Sequence, residues 1–93
     1  MYKSVEKVVT EFVFSFANFE FRVKARISEK LGAGLNTPLP YSWTVSHHYK
    51  LSKDAPSATY PQKTECASRE EAERLLFTYM RSFTDAVEPN KFY

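Results

Sequence analysis

Cysteine, glycine and long hydrophobic runs are all scarce in this sequence of 93 residues. The single cysteine, Cys66, excludes an internal disulfide, and small secreted domains usually depend on such crosslinks, so we expect a reducing, cytoplasmic location. The two glycines, Gly32 and Gly34, do not precede a helical pattern, which excludes a phosphate-binding glycine loop. No stretch approaches the ~20 apolar residues of a membrane span, and Glu6 and Glu11 interrupt the first apolar residues before a secretion signal forms.

Charge of one sign is not in large excess either, since the net charge is +2. Residues 1–53 carry eight Lys and Arg against four Asp and Glu, whereas residues 54–93 carry five against seven. This distribution excludes a histone-like polycation and argues against an acidic mimic of DNA. A contact with phosphate therefore has to come from a local patch.

Aromatic side chains are abundant, with eight Phe, six Tyr and one Trp. A chain of this length forms one domain, residues 1–93, and buries roughly 65% of the surface of its unfolded state. A few large rings can fill such a core. We predict a mobile tail over residues 88–93, unless Phe92 and Tyr93 dock on the domain.

The residues from Ser68 onward predict a C-terminal helix. Ser68 and Glu71 have the spacing of a capping box, in which each side chain accepts a hydrogen bond from a backbone N–H at the start of the helix. Apolar residues then recur at the spacing of one buried helical stripe, namely Ala72, Leu75, Leu76, Tyr79, Met80 and Phe83. The helix is expected to fray near Asp85–Val87 and to stop before Pro89.

Two segments alternate between apolar and polar residues, which predicts strands with one buried and one solvated face. These segments are Phe19–Ile27 and Tyr41–Leu51. Residues 4–16 fit either a helix that opens at Ser4 or a strand. The β-branched and aromatic residues favour a strand over residues 8–16.

A further short strand is expected within Tyr60–Cys66, at a sheet edge because Pro61 is tolerated only there. Together the elements predict an α+β fold, an antiparallel sheet of three to four strands with one C-terminal helix packed on its apolar face. The other sheet face is then left in water. In the loop Leu31–Pro40, Leu35 and Leu39 either fold back on the core or protrude as an apolar anchor for a protein groove.

The solvated sheet face is the predicted binding surface. Arg22, Lys24 and Arg26 project from it at every second residue, about 6.6–6.8 Å apart, a spacing of the same order as between successive phosphates. The other predicted contacts are two residues on the same face of a second strand, His48 and Lys50, and two near the strand ends, Lys30 and Lys53. The alternative is that these cations only keep the face solvated. The sequence also places no outward-facing aromatic there for base stacking.

No catalytic or metal-binding group is expected. Adjacent strand residues point to opposite faces, so His47 and His48 do not easily share one metal ion. The sequence shows neither a base nor an orienting group for Cys66, so an inert thiol is expected. We therefore predict a non-catalytic binding protein without a cofactor, a small-molecule substrate or a membrane partner.

The chain resembles the type I-F anti-CRISPR proteins, which are small and phage-encoded. The resemblance rests on the strand Phe19–Ile27, the aromatic strand Tyr41–Leu51, and a Tyr60-Pro61 segment that leads into Ser68-Arg69-Glu70-Glu71-Ala72 and one closing helix. These inhibitors share no common motif, so no functional residue is carried over by position. The resemblance implies an inhibitor that docks on the subunits and guide RNA of a Cas ribonucleoprotein complex in the host cytoplasm and blocks target DNA binding. The alternative is a free-standing nucleic-acid-binding or regulatory protein.

Overall fold

The described part of the chain forms an antiparallel sheet, a second small sheet and one helix. A computed structural model describes residues 5–31 and 38–93. In chain order its elements are β1 (Val5–Ser15), β2 (Arg22–Leu31), β3 (Tyr41–Val45), β4 (His47–Tyr49), β5 (Glu65–Cys66), α1 (Arg69–Met80) and β6 (Val87–Pro89). The larger sheet has the order β1-β2-β3-β5, and β4 pairs with β6 in the smaller sheet. The α+β prediction is confirmed. Gly32, Gly34 and Leu35 of the predicted loop lie outside the described residues.

Strand β2 lies between β1 and β3, and its alternation separates the two faces of the sheet. Its core-facing residues, Val23, Ala25 and Ile27, are 0% exposed. Strand β1 pairs with it from Val5 onward, so the strand alternative for residues 4–16 is confirmed and begins earlier than residue 8. The register shifts between Val8 and Thr10, which is a β-bulge, and Val9 packs against the core there.

The prediction of one strand over Tyr41–Leu51 is wrong, because the chain leaves the larger sheet at Ser46. The Ser46 N–H donates to the Lys24 carbonyl (2.7 Å), as a continuing ladder requires. The Lys24 N–H, however, donates to the Ser46 hydroxyl (2.8 Å) instead of the Ser46 carbonyl. That carbonyl accepts from the Asn90 N–H (2.8 Å), and the following residues pair with β6. A serine side chain has therefore replaced a backbone acceptor and ended the ladder.

Strand β5 forms a sheet edge and is shorter than the predicted Tyr60–Cys66 segment. Cys66 pairs with Tyr41 and Glu65 pairs with Ser42. The residues before Thr64 stay outside the ladder, consistent with the missing N–H of proline in this segment.

The helix begins where the capping box predicts. Ser68 is the N-cap, and its hydroxyl accepts from the Glu71 N–H (3.1 Å). The Glu71 carboxylate accepts from the Ala67 N–H (3.1 Å), one residue before the expected donor. Both bonds satisfy backbone donors near the start of the helix.

The predicted end of the helix near Asp85–Val87 is wrong, because α1 ends at Met80. After it, the Thr84 hydroxyl donates to the Lys50 carbonyl and accepts from the Ala86 N–H. The bond from Ala86 is local and competes with a helical one, whereas the bond to Lys50 ties this segment to a distant part of the chain. The Lys50 N–H also donates to the Ala86 carbonyl (2.7 Å), so this segment turns back toward β4.

The core lies between α1 and one face of the larger sheet. The helix buries Ala72, Leu76 and Met80 against the sheet. Phe77 packs edge-on against Phe12 and Phe14 of β1, at centroid distances of 5.2 and 5.3 Å. Such aromatic pairs add to the stabilisation from buried area.

Leu76 tests the importance of this interface, because its side chain is 0% exposed. Leu76→Ala should lower the free energy of unfolding by about 2–5 kcal/mol through lost burial and a residual cavity. Urea unfolding measures the change. Leu51→Ala is the matched control, since Leu51 is 74% exposed, and its effect should stay within about 0.5 kcal/mol. Equal effects in the two variants would contradict the described core.

Glu71 should make helix capping dependent on pH. The hydrogen bond from the Ala67 N–H lowers the pKa of Glu71, with a further contribution from Lys63. A carboxylate with a lowered pKa stabilises the fold fully above its ordinary pKa of 4.5 and loses that contribution as the pH falls. Glu71→Gln should therefore flatten the decline of unfolding free energy below about pH 4.5. Urea titrations at several pH values measure this slope, and an unchanged slope contradicts the assignment.

Candidate nucleic-acid interface

The register of β2 places three cations on the sheet face opposite the helix. Arg22, Lys24 and Arg26 alternate with the buried Val23 and Ala25. We call these three cations the basic face. Arg22 and Lys24 are exposed, whereas Arg26 is half-buried. The strand therefore presents the three predicted cations on one side, as expected from the alternation.

The neighbouring strand β1 determines how much of this charge is neutralised. Ser15 pairs with Arg22 and Val13 pairs with Lys24, whereas Glu11 pairs with Arg26. Val13 is 57% exposed, so an apolar side chain lies beside the cations. Within residues 5–31 and 38–93, neither Arg22 nor Lys24 forms an ion pair. The uncompensated positive charge is therefore concentrated at the start of β2.

Lys30 lies on the same face of β2, near the end of the strand, where carboxylates neutralise its charge. Glu6 pairs with Lys30 in the β1–β2 register, and the Lys30 ammonium lies 3.8 Å from a Glu65 carboxylate oxygen. Both side chains of this ion pair are partly exposed, so it contributes little to stability. It does reduce the charge that Lys30 offers to a polyanion.

Asn90 fixes the C-terminal residues to this face. Its side-chain amide donates to the Val45 carbonyl (2.8 Å) and to the Thr44 hydroxyl (3.3 Å). Its backbone N–H donates to Ser46, as described above. Strand β6 ends directly before it, so residues 87–90 are held by backbone and side-chain bonds together.

Tyr93 adds an aromatic ring to the basic face. The Arg26 guanidinium carbon lies 4.3 Å from the Tyr93 ring centroid, and Arg26 Nη2 donates to the Tyr93 carbonyl. Burial raises the pKa of the Tyr93 hydroxyl, and Glu11 raises it further against the opposing effect of Arg26. Of the two aromatic residues considered for docking, Tyr93 therefore packs on the domain, whereas Phe92 is 93% exposed. Local sequence carries no signal for this contact, because it joins residues 67 positions apart.

His48 does not share the face of Arg22, which corrects the sequence-based placement. Its ring packs edge-on against Tyr60 (4.8 Å) and against Tyr79 of α1 (6.5 Å), on the helix side of the larger sheet. Burial lowers the pKa of His48 despite the nearby Glu88. The neutral ring is therefore favoured at pH 7, and it adds no positive charge for phosphate.

Lys50 and Lys53 line a depression that contains no residue of the basic face. The depression is shallow, has a volume of about 280 Å³ and is also lined by Phe21, Asp85 and Val87. The break at Ser46 explains why the prediction for Lys50 fails. Counting alternate residues along one strand places Lys50 on the face of Lys24, and this count holds only if the strand is unbroken. The seven predicted contact residues are thus divided among several surroundings.

The surroundings of Cys66 bear on the reactivity of its thiol. Cys66 is 0% exposed, and burial raises the pKa of its thiol, which disfavours the reactive thiolate. Across the two described ranges, no group of three or more His, Cys, Asp or Glu residues is arranged to hold a metal ion. The helix of those ranges, α1, has 12 residues, short of the ~20 apolar residues that a bilayer span requires, and none of the described helical residues forms such a span.

Comparisons with protein-family models, with curated proteins and with solved structures found no match to this chain. The partner of the basic face therefore has to be inferred from the side chains that form it. These offer two exposed cations, one oriented arginine, an exposed valine and the rings of the docked C-terminal segment.

The Asn90 contacts can be tested by limited proteolysis after the exposed Lys91. Asn90→Ala removes three side-chain hydrogen bonds, those donated to Val45 and Thr44 and the one accepted from the Phe92 N–H, each with a net contribution of about 1 kcal/mol. Local opening, and with it tryptic cleavage after Lys91, should increase by on the order of a hundredfold. Mass spectrometry measures the rate, and cleavage after the exposed Lys53 is the internal control. Unchanged cleavage after Lys91 would show that Asn90 does not hold the segment.

Proposed function

We propose that this chain is a non-catalytic binding protein that docks on a ribonucleoprotein complex and contacts its RNA through the basic face. Exposed Arg22 and Lys24 are the observation that supports this proposal most directly. Both lie on a hydrogen-bonded strand, and the residues opposite them in β1 carry no negative charge. Cations held in this way attract phosphates without first having to break ion pairs within the protein.

The form of the surface also supports contact with a polynucleotide backbone. Successive cations on one strand face are about 6.6–6.8 Å apart, so neighbouring side chains can reach neighbouring phosphates. Arg26 is oriented by Tyr93, whose carbonyl accepts from Nη2, one nitrogen of a guanidinium group that carries five N–H donors. A backbone that follows β2 can therefore meet two or three cations in sequence.

Within this class, we favour an inhibitor of a crRNA-guided surveillance complex. The resemblance to type I-F anti-CRISPR proteins supports it through the strand Phe19–Ile27 and the closing helix after Ser68, although the strand over Tyr41–Leu51 is broken at Ser46. The sign of the charge selects the mode of contact. A positive surface repels protein surfaces that bind DNA, so mimicry of target DNA is disfavoured. Contact with the guide RNA and adjacent subunits agrees with the positive charge, and an inhibitor docked there blocks target DNA binding.

The double variant Arg22→Glu/Lys24→Glu tests the proposal. Arg26 is left intact, because its contact with Tyr93 holds the C-terminal segment. Reversal of two phosphate-contacting charges should weaken docking on a purified type I-F surveillance complex by roughly tenfold or more and reduce the salt dependence. Fluorescence anisotropy of labelled target DNA measures the accompanying loss of inhibition.

Lys53→Glu/Arg74→Glu is the matched control, because both residues are exposed and the change in charge is the same. This control should inhibit like the wild type, and both variants should melt at the wild-type temperature. Undiminished inhibition by the folded Arg22→Glu/Lys24→Glu variant would exclude the basic face. If the wild-type protein does not inhibit the complex but binds bare RNA at low salt, the free-standing nucleic-acid-binding protein is the better description.

A further inference from the structure

Phe92 is the most exposed large hydrophobic residue in the described part of the chain, at 93%. Its backbone is nevertheless held in place. The Phe92 N–H donates to the Asn90 side-chain oxygen (3.0 Å), and the Tyr93 N–H donates to the Asn90 carbonyl (3.2 Å), which closes a turn. The Phe92 ring therefore projects into water from a hydrogen-bonded turn. Exposure of this apolar surface is unfavourable, and no contact within the monomer buries the ring.

The position of this turn relates Phe92 to the basic face. Asn90 is bonded to Val45, and Tyr93 lies against Arg26, so the residue between them is at the margin of that face. Lys91, in the same turn, is exposed as well. The surface therefore combines exposed cations with an exposed ring, whereas the sequence had placed no aromatic there.

We infer that the basic face binds single-stranded nucleic acid, with an unpaired base stacked on Phe92 while Arg22 and Lys24 contact phosphates. This inference rests on the proposed function and specifies the partner at the same site. Proteins that bind single strands combine a cationic track with aromatic side chains on which bases stack. Stacking tolerates any base, because every base has a π-face, so the contact requires no sequence preference.

An unpaired strand fits this surface better than a duplex. In a duplex, both faces of each internal base are covered by neighbouring base pairs, so an exposed ring reaches a base face only by wedging two pairs apart, which costs a few kcal/mol per step. Reading of a duplex also depends on an element that enters a groove. Phe92 instead lies on a short turn beside the broad face of a sheet. The cations alone do not distinguish the two forms, so the ring is the discriminating feature.

The test compares two labelled probes of equal charge by fluorescence anisotropy. One is oligothymidylate of about ten nucleotides, and the other is an abasic sugar–phosphate oligomer of the same length. The wild type should bind oligothymidylate roughly tenfold more tightly, because only that probe can stack. Phe92→Ala should lose this preference while its affinity for the abasic probe stays unchanged. Phe92→Trp should retain the preference.

Tyr60→Ala is the matched control, because Tyr60 is a 57% exposed aromatic that contacts His48 on the helix side. It should keep the wild-type preference between the two probes. Equal wild-type affinity for both probes overturns base stacking and leaves the proposed phosphate contacts standing. A wild type that binds neither probe, yet docks on the surveillance complex through Arg22 and Lys24, also overturns it and assigns the face to a protein subunit. If the Arg22→Glu/Lys24→Glu variant docks on the surveillance complex as tightly as the wild type, the proposed function itself is wrong.

Discussion

The exchange of hydrogen-bond partners at Ser46 is the interaction on which the rest of the structure depends. In a continuing antiparallel ladder, the Ser46 carbonyl would accept from the Lys24 N–H. The hydroxyl takes that place, and the carbonyl accepts from Asn90 instead. One side chain therefore ends β3 and directs the chain into β4. It also fixes the C-terminal turn beside β2. A serine can do this because its hydroxyl reaches nearby backbone donors.

The break at Ser46 gives the two faces of the larger sheet different surroundings. On the helix side, β4 follows the core, and Tyr49 packs on Tyr79 with ring centroids 5.3 Å apart. Aromatic contacts thus extend the core past the end of β3. On the opposite side, the C-terminal turn covers Arg26 and leaves Lys24 exposed. The core and the candidate interface are consequently products of the same backbone rearrangement.

Local patterns predicted the elements whose partners are close in sequence or fixed by alternation. The β2 faces followed from period-two alternation, and the start of α1 followed from the Ser68 capping box. Three of the failures involve distant partners. Ser46 switches to Asn90, Thr84 bonds to Lys50, and Tyr93 packs on Arg26. No periodicity encodes such pairs, so the end of the helix, the broken strand and the docked turn could not be predicted from the sequence alone.

The charge on the open face of β2 follows a gradient that limits what can bind there. Opposite β2, the sequence of β1 changes from Ser15 and Val13 to Glu11 and Glu6. A polyanion that follows β2 from Arg22 meets favourable charge for two or three residues and carboxylates after that. Its affinity from phosphate contacts and counterion release is therefore small, because the number of neutralised phosphates is small. Stable association then requires contacts of another kind, from stacked bases or from protein. The exposed Phe92 ring beside the basic face can supply one such contact, by stacking on a base. For the same reason a ribonucleoprotein, which also offers protein contacts, suits the surface better than bare nucleic acid.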